Sequence, residues 1–285
     1  MDRRDFIKSG IGTGVLLLTS KKSARADIKK EFFGILVDTT RCIGCRSCEE
    51  ACASAHGLPV PDIYDESVFE KERKTSETQW TVVNRYDTEK GTIYVKRQCM
   101  HCNQPACAAA CLVKAMFKTE EGPVIWRGNK CMGCRYCMIS CPFDIPKFEY
   151  NSPNPKIQKC VMCWERIEKG EIPACVEACP AETLLFGKRR EVLEEAKRRI
   201  YTEPEKYYNH IYGELEVGGT GWIYLSSVPF EQIGFATNLG ITPYPEFTKG
   251  FLYSVPVIFI LWPSFLLGIN HLTKRKEEIK MGGRK

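Results

Sequence analysis

Short apolar segments separated by turns occupy the middle of the chain. Residues 80–86 and 92–96 flank the sequence Asp-Thr-Glu-Lys-Gly, and residues 114–118 and 124–126 flank Thr-Glu-Glu-Gly, so each pair predicts a β-hairpin. Residues 191–200 instead place Val, Leu, Ala and Ile at helical spacing, which predicts an amphipathic helix packed on the surface. This mixture of short strands and short helices indicates an α+β fold.

One segment near the C-terminus is long and apolar enough to cross a lipid bilayer. Residues 251–269 contain no charged side chain, and at the rise of an α-helix they span roughly 30 Å, about one hydrocarbon core. We expect a transmembrane anchor over residues 249–273, kinked at Pro256 and Pro263 and packed against a partner helix. The basic tail 274–285 would lie in the cytoplasm by the positive-inside rule. A buried hairpin or an interfacial segment is the alternative.

The N-terminal segment, residues 1–26, predicts an export signal. A charged start, an apolar run over residues 11–18 and an Ala-Arg-Ala site follow one another, and the run is too short to span a bilayer. The pair Arg3 and Arg4 resembles the twin-arginine signal, which directs folded proteins out of the cytoplasm. Both ends of the chain therefore predict that the body, residues 27–248, lies on the periplasmic side of the inner membrane.

The formal net charge of +6 is concentrated at the two ends of the chain. Residues 1–26 carry six Lys or Arg and two Asp, and residues 274–285 carry six Lys or Arg and two Glu. Residues 27–273 hold 29 basic and 31 acidic side chains. A body with a net charge of −2 lacks the basic face of a nucleic-acid binder, so we exclude nucleic acid as a partner.

Sixteen cysteines form four groups of four with none left over. The groups are Cys42, Cys45, Cys48 and Cys52; Cys99, Cys102, Cys107 and Cys111; Cys131, Cys134, Cys137 and Cys141; and Cys160, Cys163, Cys175 and Cys179. The third group has the spacing C-x2-C-x2-C-x3-C followed by Pro142, which is the ferredoxin pattern, and the first group has the same spacing without the proline. Three thiolates on one such loop can each reach a different iron of a cubic cluster, so the spacing predicts 4Fe-4S clusters.

The cysteine groups are also repeated. The sequence Arg41-Cys-Ile-Gly-Cys-Arg-Ser-Cys recurs as Lys130-Cys-Met-Gly-Cys-Arg-Tyr-Cys, and Pro105-Ala-Cys-Ala-Ala-Ala-Cys recurs as Pro173-Ala-Cys-Val-Glu-Ala-Cys. Recurrence of the same cysteine spacing with the same flanking residues indicates duplication of a ferredoxin unit.

A membrane-tethered structural protein that holds zinc or disulfides is the alternative from a different class. Disulfide cysteines are usually dispersed through a small domain, and a four-cysteine zinc site needs only two C-x2-C pairs, so both leave the cysteine triplets unexplained. The four histidines show no metal-ligand spacing, and we expect them to be structural or solvent-facing: His56, His101, His210 and His271. His101 lies between two cysteines and could donate a hydrogen bond to a cluster sulfur.

These motifs resemble the four-cluster, ferredoxin-like subunits of membrane-bound bacterial oxidoreductases. The hydrogenase 2 type is most similar, because it combines a twin-arginine signal, four cysteine groups and a C-terminal anchor in one chain. The beta subunit of formate dehydrogenase N is similar in groups and anchor, and subunits of polysulfide- or thiosulfate-type reductases share the cysteine groups. These two are the alternatives within the class.

The resemblance implies two nested ferredoxin-like folds that bind four 4Fe-4S clusters and contain no catalytic residue. It assigns Cys179 to the cluster of Cys42, Cys45 and Cys48; Cys52 to that of Cys160, Cys163 and Cys175; Cys141 to that of Cys99, Cys102 and Cys107; and Cys111 to that of Cys131, Cys134 and Cys137. It also implies electron transfer from a periplasmic catalytic subunit, a nickel–iron hydrogenase in the hydrogenase 2 type, to a quinone-reactive membrane subunit. Spacing alone does not give the cysteine pairing.

Overall fold

The computed structural model describes residues 31–282, so the export signal predicted over residues 1–26 lies outside the described part. The strands are β1 (Phe33–Asp38), β2 (Val82–Thr88), β3 (Gly91–Arg97), β4 (Met116–Lys118), β5 (Val124–Trp126), β6 (Lys147–Phe148), β7 (Ile157–Gln158), β8 (Leu184–Lys188) and β9 (Trp222–Leu225). The helices are α1 (Ser47–His56), α2 (Ala106–Ala109), α3 (Tyr136–Ile139), α4 (Trp164–Glu168), α5 (Ala174–Glu177), α6 (Arg189–Thr202) and α7 (Tyr244–Gly282). The mixed helix and strand content agrees with the α+β prediction.

Both predicted hairpins form. Strands β2 and β3 pair antiparallel, with Thr88 opposite Gly91 across a two-residue turn, and β4 pairs with β5. A third hairpin, β6–β7, follows the third cysteine group. Gly91, which follows the turn, has a φ of 103°, a value that glycine adopts without the strain of other residues, so glycine suits this position.

A three-stranded sheet separates two apolar layers. Strand β1 is central, antiparallel to β8 and parallel to β9. Because side chains alternate along a strand, Leu36 and Ile223 face one side and pack against Val192 and Ala196 of α6. Trp222 belongs to the other face, which packs into the larger core together with several cysteines. One face of the sheet therefore packs against the cysteine-rich part of the molecule.

The short helices that carry cysteines pack in two pairs. Helix α1 contacts α5, and helix α2 contacts α3. In sequence, the α2–α3 pair lies between α1 and α5. The first cysteine group is thereby held beside the last, and the second beside the third.

Helix α7 is the one helix within residues 31–282 that is long and apolar enough to cross a membrane. The candidate span is Tyr244–Lys276, and the anchor predicted over residues 249–273 lies inside it. Pro256 and Pro263, the positions of the expected kinks, both lie inside this helix. Its first residues adjoin the body, because α7 contacts α2.

Candidate cluster-binding sites

Each cysteine group opens with the same backbone turn. The second residue after the first cysteine has a positive φ in all four groups: Gly44 (74°), His101 (49°), Gly133 (72°) and Met162 (54°). For a non-glycine residue this conformation costs about 1 kcal/mol, so it needs support from the surroundings. The turn brings a backbone N–H to the thiol, because Gly133 N lies 3.5 Å from Cys131 Sγ and Met162 N lies 3.4 Å from Cys160 Sγ. The loops are shaped to donate hydrogen bonds to sulfur.

The fourth cysteine of three groups is followed by a second shared turn. The third residue after it also has a positive φ: Lys114 (53°), Asp144 (51°) and Glu182 (47°). Beyond Cys111, the backbone N–H groups of Ala115 and Met116 lie 3.2 and 3.4 Å from its Sγ. In the first group helix α1 continues past Cys52 instead. The first turn therefore occurs in all four groups and the second in three of them. The repeated sequence motifs predict only part of this similarity in backbone structure.

Thiols that are far apart in sequence lie close together. One cavity is lined by Cys42, Cys45 and Cys48 together with Cys179. Burial, with smaller contributions from the charges of Cys179 and Cys45, raises the pKa of the Cys42 thiol to about 11, and burial together with the Cys42 charge raises the pKa of Cys48. The structure therefore brings Cys179 of the last group to three cysteines of the first. We call these four residues set A: Cys42, Cys45, Cys48 and Cys179.

The other twelve cysteines gather in the same crossed manner. Beyond the effect of burial, Cys52 experiences the charges of Cys160, Cys163 and Cys175; Cys102 those of Cys99, Cys107 and Cys141; and Cys137 those of Cys111, Cys131 and Cys134. We call these set B (Cys52, Cys160, Cys163 and Cys175), set C (Cys99, Cys102, Cys107 and Cys141) and set D (Cys111, Cys131, Cys134 and Cys137). Each set joins three cysteines of one group to the fourth cysteine of another.

The four sets adjoin one another in the order A, B, C, D. The Cys175 charge of set B reaches Cys48 of set A. The Cys99 charge of set C reaches Cys160 of set B, and Cys107 of set C lies within the electrostatic reach of Cys137 of set D. Set D ends at the surface, because Cys134 is exposed whereas the other fifteen cysteines are buried or half-buried.

The chemistry of these thiols fits iron–sulfur clusters. All sixteen are free of disulfides. Within residues 31–282, no three His, Cys, Asp or Glu side chains converge as closely as the ligands of a single metal ion, whereas a four-cysteine zinc site needs four sulfurs about 2.3 Å from one ion. Burial raises the pKa of Cys141 to about 11 and that of Cys160 to about 12, so binding of a cluster to these thiols releases protons at neutral pH.

Within residues 31–282, four buried ring N–H groups of Trp and His side chains have no hydrogen-bond partner. They are Trp80 Nε1, His101 Nε2, Trp126 Nε1 and Trp222 Nε1. His101 Nδ1 accepts a hydrogen bond from Val124 N at 2.8 Å, so the ring proton is on Nε2. Trp80 packs in the apolar cluster around Cys99 and Cys160, and Trp126 in the one around Cys107 and Cys137. Such donors match the sulfide and thiolate acceptors of a bound cluster.

Three residues beside the sets were not recognised from the sequence as functional candidates. Lys96 is 3% exposed and Lys159 is 2% exposed. Burial alone lowers the pKa of Lys96, but the charges of Cys175, Cys48 and Cys160 raise it above its ordinary value. His56, which we expected to be structural or solvent-facing, lies with Nε2 3.4 Å from Cys163 Sγ. A lysine shortly before each of the second and fourth cysteine groups was the signal available in the sequence.

Comparison with known proteins agrees with this chemistry. Two family models, each described as a 4Fe-4S dicluster domain, match residues 91–189 and 41–115. A protein of Nitratidesulfovibrio vulgaris is 45% identical over 98% of this chain and 79% of its own length. The hydrogenase-2 operon protein HybA of Escherichia coli O157:H7 is 36% identical over 82% of this chain and 83% of its own length.

The formate dehydrogenases supply a further relative. The iron–sulfur subunit of the nitrate-inducible formate dehydrogenase of Escherichia coli K12 is 32% identical over 79% of this chain and 76% of its own length. The two domain matches and these long matches to relatives agree with each other. The chain belongs to the family of 4Fe-4S dicluster iron–sulfur subunits that includes HybA and the formate dehydrogenase iron–sulfur subunits.

Proposed function

We propose that this chain conducts electrons through four 4Fe-4S clusters, between a periplasmic catalytic subunit and a quinone-reactive membrane subunit. The observation that carries the proposal is the continuous order of sets A, B, C and D, with thiols of each set adjoining those of the next. Each bound cluster supplies reversible uptake of one electron. The cysteines hold the clusters, and the surrounding apolar side chains and N–H donors exclude water and stabilise the sulfur charge.

The crossed sets support two nested ferredoxin-like folds. Sets A and B share the first and last cysteine groups, and sets C and D share the middle two. The contacts of α1 with α5 and of α2 with α3 follow the same division. In this arrangement one ferredoxin-like unit lies, in sequence, inside the other, and electrons pass from one unit to the other between sets B and C.

The two ends of the order A, B, C, D provide the surfaces that contact the partner subunits. Beside set D, Leu112, Met132 and Ile139 are 84%, 61% and 82% exposed, and beside set A, Ile43 is 62% exposed. Clustered exposed apolar side chains mark contacts with other proteins. Because α2, which carries Cys107 of set C, contacts the start of α7, we assign the C–D end to the membrane subunit and the A end to the catalytic subunit.

The catalytic partner we propose is a nickel–iron hydrogenase. Among the named relatives, HybA of the hydrogenase-2 operon is 36% identical and the formate dehydrogenase subunit is 32% identical, which favours the hydrogenase partner. Purification of the complex in mild detergent should yield a hydrogenase large subunit. A molybdenum- or tungsten-containing formate dehydrogenase subunit in its place would establish the alternative partner.

The proposed location is the periplasmic face of the inner membrane, with α7 as the anchor and the tail in the cytoplasm. The paired Arg3 and Arg4, the apolar span and the basic residues after it support this orientation. Replacing both arginines by lysine should hold the cluster-loaded chain in the cytoplasm. Undiminished export of this variant would contradict the assignment of the signal.

The cysteine pairing is tested by two reciprocal substitutions. Cys179→Ser should perturb the cluster of Cys42, Cys45 and Cys48 and leave the set B cluster with its four thiolates, although Cys179 belongs in sequence to the fourth group. Cys52→Ser should perturb set B and spare set A. Electron paramagnetic resonance spectra of both variants, compared with the wild type, distinguish the two clusters. If Cys179→Ser damages the set B cluster and spares set A, the nested pairing is wrong.

A further inference from the structure

Lys96 is a buried ammonium at the end of strand β3. Its Nζ donates a hydrogen bond to Gln98 Oε1 at 3.0 Å and lies 4.4 Å from the centre of the Trp222 ring. Gln98 Nε2 donates to the Tyr224 hydroxyl at 2.6 Å, and that hydroxyl donates to the backbone carbonyl of Lys96 at 2.9 Å. The Lys96 side chain is therefore fixed in a closed set of hydrogen bonds and has no access to water.

No carboxylate in the part of the chain that the structure describes forms an ion pair with this ammonium. The ion pairs found within residues 31–282 do not include Lys96. The carboxylate next to Cys48 in sequence, Glu49, is already engaged by Arg73 at 2.6 Å and by Arg46 at 3.2 Å. A buried charge without a counter-ion is strongly unfavourable, so the folded protein must provide an anion for Lys96.

Lys96 lines one cavity together with the four cysteines of set A. The cysteines whose charge would act most strongly on Lys96 belong to two sets, because Cys48 is in set A and Cys175 and Cys160 are in set B. Lys96 thus lies within the electrostatic reach of both cluster sites. A 4Fe-4S cluster with four thiolate ligands carries net negative charge, and this charge increases by one unit when the cluster is reduced.

We propose that Lys96 is the shared counter-ion of the set A and set B clusters and makes both easier to reduce. The inference rests on the proposed function, because it requires clusters at both sets. Reduction adds one electron to a cluster, breaks no bond and needs no proton from Lys96, which acts only as a fixed positive charge. In the low-dielectric interior this charge stabilises the reduced cluster more than the oxidised one. Lys96 is therefore a positioning residue: it holds a fixed positive charge beside two clusters of the electron path.

Set C has other lysines beside it. Lys118 Nζ donates to the backbone carbonyl of Cys102 at 3.0 Å, and the charge of the buried Lys159 acts on Cys107 and Cys141. In set D, Cys134 is exposed, so water and salt screen distant charges there. Removal of the Lys96 charge should therefore affect sets A and B more than sets C and D.

The test is a potentiometric titration of the full-length, cluster-loaded chain followed by electron paramagnetic resonance. The variants are Lys96→Met, which removes the charge, Lys96→Arg, which keeps it, and Lys90→Met as the matched control on the exposed turn of the same hairpin. The Cys179→Ser and Cys52→Ser spectra identify the signals of sets A and B.

In Lys96→Met, at any fixed potential, the reduced-to-oxidised ratio of the set A and set B clusters should fall about tenfold, which is about 59 mV for one electron. Sets C and D should change less, Lys96→Arg should restore most of the ratio, and Lys90→Met should match the wild type. Unchanged ratios at sets A and B, or an equal shift at all four clusters, would overturn the inference.

Iron content gives a second readout if the neutral variant binds clusters poorly. Loss of iron in Lys96→Met but not in Lys96→Arg would support a requirement for the positive charge. Loss in both would overturn the inference, because the side-chain shape rather than its charge would then be needed. Absence of 4Fe-4S signals in the wild type would instead contradict the proposed function.

Discussion

Replacement of Glu49 by Gln should weaken the part of the fold that holds sets A and B. The Glu49 side chain is fully buried, with Arg73 at 2.6 Å from Oε1 and Arg46 at 3.2 Å from Oε2. Gln79 Nε2 donates to Oε2 at 2.9 Å, and Val83 N donates to Oε1 at 2.5 Å. One carboxylate thereby ties helix α1 to strand β2 and is the acceptor shared by two arginines.

The size of the expected loss of stability follows from the arginine charges that remain after Glu49 is replaced. Gln has the shape of Glu but no charge. Its amide NH2 group would also lie opposite N–H donors, where Glu49 places an acceptor oxygen. Arg46 is 2% exposed and would lose its counter-ion, and breaking such a buried pair costs about 3–5 kcal/mol. This corresponds to about a hundredfold to a few thousandfold in the unfolding equilibrium. Helix α1 carries Cys48 of set A and Cys52 of set B, so these two clusters should be lost first.

The assay is the rate at which iron passes to a chelator in mild guanidinium, followed by the visible absorbance of the clusters under anaerobic conditions. Glu50→Gln is the matched control, because Glu50 is the next residue of the same helix and is exposed. We expect Glu49→Gln to release iron at least about tenfold faster than Glu50→Gln, with the set A and set B signals disappearing first. Equal rates in the two variants would refute the role assigned to the buried carboxylate.

Three other changes have defined outcomes. Deletion of residues 244–285 should leave a chain that stays in the aqueous phase and keeps its iron. Turnover with a soluble dye should be retained better than turnover with quinone. Equal loss of both activities would show that the helix is needed for assembly. His101→Leu removes the buried Nε2–H donor and should lower one cluster potential by about 40 mV, since a hydrogen bond contributes about 1 kcal/mol; four unchanged potentials would contradict this. Because burial raises the pKa of Cys42 to about 11, its thiol is protonated at pH 8, and cluster reconstitution should release protons, so the measured heat should depend on the ionisation enthalpy of the buffer. A heat independent of the buffer would mean that the thiols are already ionised.

Local structure was predictable where it depends on local sequence. The hairpin β2–β3 and the packing of Val192 and Ala196 follow from the period of the apolar residues. The four cysteine groups follow from their spacing. The gathering of Cys179 with Cys42 does not, because it depends on the contact of α1 with α5 across most of the body.

The burial of Lys96 was also not predictable from the strand pattern. Alternation along β3 places Ile93 and Val95 in the core and assigns Lys96 to the opposite, polar face. In the structure Lys96 is covered as well, because it lines one cavity together with the cysteines of set A. A lysine on a strand becomes interior only when the tertiary structure brings cysteines from distant groups over it.

Reductive titration of the purified chain, with iron, acid-labile sulfide and zinc determined on the same sample, tests the four-cluster electron path most directly. Sixteen cysteines in four complete sets predict about sixteen irons and about sixteen sulfides per chain, and uptake of about four electrons as the potential is lowered. A chain that binds zinc in place of iron, or takes up no more than about two electrons after full reconstitution, would contradict the assignment of four redox-active clusters.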